Sequence, residues 1–192
     1  MDPLIYQKMA HEQETHWWFK ARREIISSVV ATMGLTKNSR ILEIGCGPGG
    51  SLKMLEKFGR IEAVEKDDFS RAYAQYSTGV KVVKGSLPDD IANIEKKFDL
   101  VCLFDVPEHI EQDIQALAAV RKLLKDNGCA LITVPAYQWL YGQHDKCHHH
   151  FRRYSKLALL EKSKYAILFT KRIGYFNCLL FPFLVFVSFY QL

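Results

Sequence analysis

Apolar residues recur along the chain with two alternating periods. Behind an aromatic knot of Trp17, Trp18 and Phe19, the residues Ile25, Ile26, Val29 and Val30 fall near helical spacing. Residues 4–33 therefore read as helix, with Gly34 as the stop. Arg40-Ile41-Leu42-Glu43-Ile44 is a short apolar run ending in Gly45, the pattern of a strand entering a turn. Leu52, Leu55 and Phe58 return to the helical period, and residues 61–64 read as a second strand ending at Glu65. Residues 68–77 follow as helix, 80–83 as a third strand closed by Gly85, and 98–104 as a fourth ending at Asp105. Ile110, Ile114, Leu117, Val120 and Leu124 form a helical stripe that Asn127-Gly128 should stop. Residues 129–134 are a fifth strand, ended by Pro135.

Strands alternating with helices predict an α/β fold: a doubly wound, mostly parallel sheet with helices on both faces. An N-terminal helical extension (1–36) precedes it. Right-handed crossovers place every strand's carboxyl end along one edge, where ligands bind. Gly45, Glu65, Gly85, Asp105 and Pro135 all fall at such ends.

Composition narrows the class. With 192 residues, 48% apolar and 24% charged, the chain is ordinary globular sequence rather than disordered or fibrous. Five cysteines, without Cys-x-x-Cys, argue against a disulfide framework or zinc ribbon, and no signal pattern opens the chain, so a cytoplasmic setting is expected. The net charge of +5 is local: residues 144–172 carry eight Lys/Arg against two Asp/Glu, with four histidines among them. Such a stretch suits phosphate, an acidic substrate, a membrane surface or simply solvent. Residues 173–192 carry no charge, and fifteen of the twenty are apolar. That tail reads as a membrane span, a lid, a buried helix or a shortened end, so 1–172 is taken as the domain and 173–192 as a separate apolar tail.

The segment Glu43-Ile44-Gly45-Cys46-Gly47-Pro48-Gly49-Gly50 carries the chemistry. Glycine allows a sharp turn and close approach of a ligand to the backbone, and a strand before it and a helix after it are the required context. Gly45, Gly47 and Gly50 satisfy the dinucleotide spacing, with Glu65 twenty residues beyond Gly45. Glu43, however, would repel a pyrophosphate and attract an ammonium group. S-adenosylmethionine carries an ammonium, a sulfonium and no phosphate, so electrostatics favours it over NAD. An NAD-binding oxidoreductase and a non-catalytic binding module remain the alternatives.

The run ILEIGCGPGG resembles the first motif of the class I S-adenosylmethionine-dependent methyltransferases, and FDLVCLFDVPEHI resembles their fourth-strand motif. HWWFKARREII, TVPAYQWLYGQHD, HHFRRYS and GYFNCLLFP resemble a bacterial subfamily of small-molecule methyltransferases. The resemblance covers residues 11–185 and implies a Rossmann-like fold. It implies that Gly45, Cys46, Gly47 and Gly49 line the methionine portion of the cofactor, with Glu43 near its amino group. Glu65, followed by Lys66, would meet the ribose hydroxyls. Ser86 and Leu87 would meet the adenine, and Asp105 and Val106 the methionine side. Ser86 stands where the family often has Asp, and Pro107 where it usually has Leu. The family's closing antiparallel strand has no residues left for it before Leu192.

Methyl transfer requires nucleophile, methyl and sulfur in line, and an oxygen nucleophile can also need a base. His109, just after the fourth strand, is the candidate base; its alternative role is a backbone hydrogen bond at a helix start. Asp105, Glu108 and His109 resemble a divalent-ion site in some O-methyltransferases, but many metal-free relatives carry the same letters, and no metal ligand is assigned. The loop from His144 to Tyr154 is expected over the substrate pocket. His150, Arg152 and Tyr154 would contact substrate there, with Trp17, Trp18, Tyr137 and Trp139 forming an aromatic wall or simply core. An ion pair from Arg152 or Arg153 to an acidic residue such as Asp145 is the structural alternative. The expected reaction moves a methyl group to oxygen or carbon of a small or amphiphilic, lipid-like or quinone-like acceptor. Nucleic acid is disfavoured, since no target-recognition domain is evident. Membrane contact through the tail and a homo-oligomer are the partner expectations.

Overall fold

The computed structural model describes residues 10, 12–13, 15–176 and 181. Most of the apolar tail and the first nine residues lie outside this range. The chain forms two compact units. The first runs to Phe104 and includes Lys122–Ile132; the second holds Asp105–Arg121 and the chain from Thr133 onward.

The first unit is built on a five-stranded sheet: β1 (Arg40–Ile44), β2 (Arg60–Glu65), β3 (Val82–Lys84), β4 (Phe98–Phe104) and β5 (Leu124–Thr133). Their order in space is β3-β2-β1-β4-β5. β1 pairs in parallel with β2, setting Glu43 beside Ala63, and with β4, setting Glu43 beside Cys102. β2 pairs in parallel with β3. The chain winds outward from β1 to β3, then returns to β4 on the other side of β1. The carboxyl ends of β1 and β4 therefore flank the switch in strand order, where open α/β sheets bind ligands.

Both faces of these strands are buried, as a parallel sheet requires. Ile41, Leu100 and Cys102 on one face pack with Ile26 and Val30 of α1 (Trp17–Ala31) and with Met54 and Leu55 of α2 (Leu52–Leu55). Ala63 and Val82 join Ala74 of α3 (Asp68–Thr78) and Cys46 of the glycine turn. Leu42, Ile44, Val101 and Leu103 on the other face are equally buried. Asp67 caps α3 by accepting from the Ser70 N–H at 2.8 Å, and Gly79 ends it in the left-handed conformation (φ +74°).

Five elements differ from the sequence expectation. The first helix is interrupted at His16, whose side chain turns back to accept from the Trp18 N–H and so begins α1. The helix expected to reach Phe58 stops after Leu55, since Gly59 must pass close to the Ser39 carbonyl. β3 begins at Val82, two residues late, because the Val80 N–H is taken by the Thr78 hydroxyl. Ile110 closes a short 3-10 turn (Pro107–His109), so α4 begins only at Asp113 and ends at Leu123. Asn127-Gly128 is not a helix stop but part of β5. A Cβ at Gly128 would lie 2.7 Å from the Phe98 carbonyl oxygen, so glycine serves backbone approach there rather than a cap.

The second unit contains most of α4, a 3-10 turn at Gln138–Leu140, α5 (Gln143–Cys147) and α6 (Lys156–Tyr165). Ser155 caps α6 by accepting from the Ala158 N–H. Among the described residues, no helix is long and apolar enough to cross a membrane.

Candidate active site

In the first unit β1 runs into the glycine turn, where Gly45, Gly47 and Gly49 have φ of +71°, +52° and +89°. Two of them are required for different reasons. A Cβ on Gly49 would stand 3.0 Å from that of Ala74, so the turn and α3 touch through backbone. At Gly47 a Cβ would meet nothing within 4 Å, leaving open space against the main chain. The Gly47 N–H donates to Glu65 Oε2 at 2.8 Å and the Asp67 N–H to Oε1 at 2.9 Å. The Glu65 carboxylate is thus fixed at the end of β2, with lone pairs remaining on each oxygen.

Glu43 lies beneath this turn, 2% exposed. Its Oε1 accepts a short hydrogen bond from Ser51 Oγ. Its Oε2 is buried and has no hydrogen-bond partner among the described residues. Burial raises the Glu43 pKa to about 7, against the lowering effects of Ser51 and Arg22. Burial and the nearby Glu43 and Glu65 carboxylates push the Cys46 thiol far up, so this cysteine is an inert wall rather than a nucleophile. Lys66 is exposed. Ser86 gives both its N–H and its hydroxyl to Asp90, at 2.9 and 2.8 Å, and Leu87 is buried. Asp90 thereby places a carboxylate beside Ser86.

A cavity of about 240 Å³ adjoins the turn on another side, lined by Gln13, Arg23, Pro48, Lys53 and Tyr73 among others. None of Glu43, Glu65 and Ser86 lines it. Gln13 Oε1 accepts from the Gly50 N–H at 3.1 Å, so the helical extension closes over this side of the turn. Trp18 is half-buried on α1, edge-on to Trp17.

In the second unit Asp105 adopts φ +57° and exchanges hydrogen bonds with Thr133, by way of both backbone and side chain. Val106 is half-buried. His109 is exposed, and its ring meets that of His150 edge-on at 4.6 Å. His150 Nδ1 lies 2.8 Å from Asp145 Oδ1. Asp145, fully buried, also accepts from Arg153 Nε on both oxygens, at 2.9 and 3.0 Å, and from the Gly142 N–H. Burial would raise its pKa, but these donors outweigh it and hold the carboxyl at about 2.

Arg152 and Tyr154 are occupied within the protein rather than facing outward. Both bond to Asp113, as Lys162 does, at 2.8–2.9 Å, and Tyr154 is 2% exposed. These contacts overcome the cost of burial and lower the Asp113 pKa. Tyr137 stacks on Tyr175 at 4.9 Å and adjoins Trp139 and Phe181. Sequence reasoning missed the anchoring roles of Ser51 and Asp113. Ser51, eight residues from Glu43 at the mouth of the helix, carried a usable signal; Asp113 on an exposed-looking helix start carried none.

A family model described as a methyltransferase domain matches residues 17–170. A ubiquinone biosynthesis O-methyltransferase of Roseobacter denitrificans is 31% identical over 97 residues, covering 48% of this chain and 39% of that protein. The chain thus spans well under half the length of this curated relative. Among solved structures, an S-adenosylmethionine-dependent methyltransferase from Clostridium acetobutylicum is similar with a TM-score of 0.57 and 25% identity, over 71% of this chain and 60% of that one. The YcgJ protein of Bacillus subtilis matches in fold with a TM-score of 0.61 and 16% identity, over 72% and 65% of the two chains.

Proposed function

The chain belongs to the methyltransferase-domain family, and from that premise we propose that it transfers a methyl group from S-adenosylmethionine to a small or amphiphilic acceptor. One observation carries the cofactor assignment: a buried carboxylate beneath the glycine turn with one oxygen unspent. Glu43 Oε2 needs a donor, and the ammonium of the cofactor's methionine portion supplies one together with a countercharge. Gly45, Cys46, Gly47 and Gly49 form the floor on which that portion rests. Glu65, already oriented by two backbone N–H groups, accepts from the ribose hydroxyls beside Lys66. Ser86 and Leu87 border the adenine, and Asp105 and Val106 the methionine side. A pyrophosphate would place like charge against Glu43 and Glu65.

In the reaction the acceptor's lone pair attacks the methyl carbon from the side opposite sulfur. The new bond to carbon forms as the carbon–sulfur bond breaks, and that electron pair remains on sulfur as S-adenosylhomocysteine leaves. An oxygen acceptor gives its proton to a base, for which His109 is the candidate. Alignment supplies most of the acceleration, because the sulfonium is already a good leaving group. Similarity to an O-methyltransferase of ubiquinone biosynthesis and the ring cluster at Tyr137 favour an aromatic, lipid-like acceptor methylated at oxygen. Trp18 and His150 complete the proposed acceptor contacts. Exposed Tyr165, Ile167 and Phe169 among Lys164, Lys171 and Arg172 suit contact with an anionic membrane surface.

Calorimetry with S-adenosylmethionine and NAD+ tests the assignment. Saturable binding of the first alone is expected; binding of NAD+ alone overturns it. Mass spectrometry of a lipid extract incubated with deuterated-methyl cofactor then identifies the acceptor by its mass shift.

A further inference from the structure

We propose that the cavity beside the glycine turn is a binding site for a small phosphate-bearing metabolite. The cavity measures about 240 Å³, and Gln13, Arg23, Gly50, Lys53, Tyr73 and Ser77 line most of it. Its cations come from two helices, Arg23 from α1 and Lys53 from α2, while Tyr73 and Ser77 belong to α3. Among the described residues, no carboxylate lines it. Pockets for drug-sized ligands begin at about 300 Å³, so this one suits a phosphate carrying a short organic group rather than a nucleotide.

The donors in this cavity are not consumed by the protein. Half-buried Arg23 gives one N–H to the Gln13 carbonyl and has no carboxylate partner among the described residues. A guanidinium carries further N–H groups in a rigid fork that matches two oxygens of a phosphate. Lys53 meets Glu56 only at 3.5 Å, with both side chains more than half exposed. A pair so solvated is weak and yields readily to a more highly charged anion. The Tyr73 hydroxyl has no hydrogen-bond partner among the described residues, and the Ser77 hydroxyl has one long contact, 3.4 Å to the Ala74 carbonyl. The Thr78 hydroxyl, by contrast, is spent on the Ala74 carbonyl and the Val80 N–H. Two cations match a phosphate monoester, which carries close to two negative charges near neutral pH; a single carboxylate answers only one of them. The cofactor proposed above, with its ammonium and sulfonium, has the wrong sign for this cavity. Gln13 also accepts from the Gly50 N–H and leaves no room for a Cβ there. An anion held by Arg23, Lys53 and Tyr73 therefore fastens the helical extension, α2 and α3 together against the glycine turn.

The test is calorimetry on the full chain at constant ionic strength, with sodium phosphate, glycerol 3-phosphate and sodium acetate as ligands. No methyl cofactor is present, so a failed methyltransferase assignment leaves the result intact. One saturable site for both phosphate compounds is expected, with acetate about tenfold weaker or more. Arg23→Gln should weaken phosphate binding about 10–100-fold, the value of a hydrogen bond to a charged group. Lys53→Gln, at an exposed position where folding is not at risk, should weaken it about tenfold, and Tyr73→Phe about fivefold. Lys57→Gln removes an exposed cation just beyond α2 that does not line the cavity, and should leave binding unchanged. Circular dichroism establishes that each variant is folded. The proposal is overturned if no saturable binding occurs, if acetate binds as tightly as phosphate, or if Arg23→Gln and Lys53→Gln keep full affinity. It is equally overturned if Lys57→Gln weakens binding as much as Lys53→Gln, which marks diffuse surface charge instead of a site.

Discussion

Two kinds of buried carboxylate divide this molecule. Asp113 and Asp145 in the second unit accept from cationic and neutral donors on both oxygens, and their pKa values are driven down despite burial. Glu43 in the first unit is as deeply buried, yet one oxygen is unsatisfied and its pKa is driven up to about 7. A saturated carboxylate ties segments together; an unsaturated one stores an uncompensated cost that a cationic ligand relieves. On the function proposed above, the difference separates scaffold from binding site.

The largest effect should come from the saturated side. Asp113→Asn leaves Arg152 and Lys162 without their anion and should cost about 3 kcal/mol of stability in denaturant unfolding. A change below 0.5 kcal/mol would show that Asp113 is not a tie. Glu43→Gln should instead spare stability and weaken S-adenosylmethionine binding about 10–100-fold, the value of a hydrogen bond to a charged group. Unchanged affinity by calorimetry would remove Glu43 from the site and collapse the contrast.

The same contrast has a pH signature. Glu43 must ionise to meet an ammonium, so affinity should rise with pH and level off above about 7, being about tenfold weaker at pH 6. In the unliganded protein the sign follows from a raised folded pKa. Between 4.5 and about 7 the unfolded chain has lost a proton that the folded chain retains, so stability falls as pH rises. Glu43→Gln should flatten that slope. Asp113 behaves oppositely: its contribution is full above its ordinary 3.8 and is lost as pH falls through its lowered folded value. The smallest effect expected is for Tyr154→Phe, about 1 kcal/mol, because Asp113 retains two other partners.

The sheet was legible because apolar runs bounded by glycine and acidic residues state both period and edge. Four of five strands were placed to within two residues for that reason. β5 was misplaced because Asn-Gly looks like a helix stop, while the crowding of Gly128 against the Phe98 carbonyl arises only once β4 is beside it. The glycine turn and its flanking carboxylates are local in sequence, so Glu43 and Glu65 could be named from spacing alone. The Arg153–Asp145 tie was among the readings the sequence left open. Arg152 and Tyr154 invited a substrate role because an arginine beside a tyrosine in a loop carries no mark of direction. Their partner, Asp113, lies about forty residues away, and no pattern along the chain announces that meeting.

The left-handed backbone of Gly45, Gly47 and Gly49 limits what mutagenesis can teach at the turn. Any side chain there must first bend the main chain, so alanine scanning would register distortion where it aims to register lost ligand contact. Dissecting recognition in this crevice therefore falls to isosteric changes at the two glutamates, or to chemically trimmed cofactors, which leave the loop's shape intact.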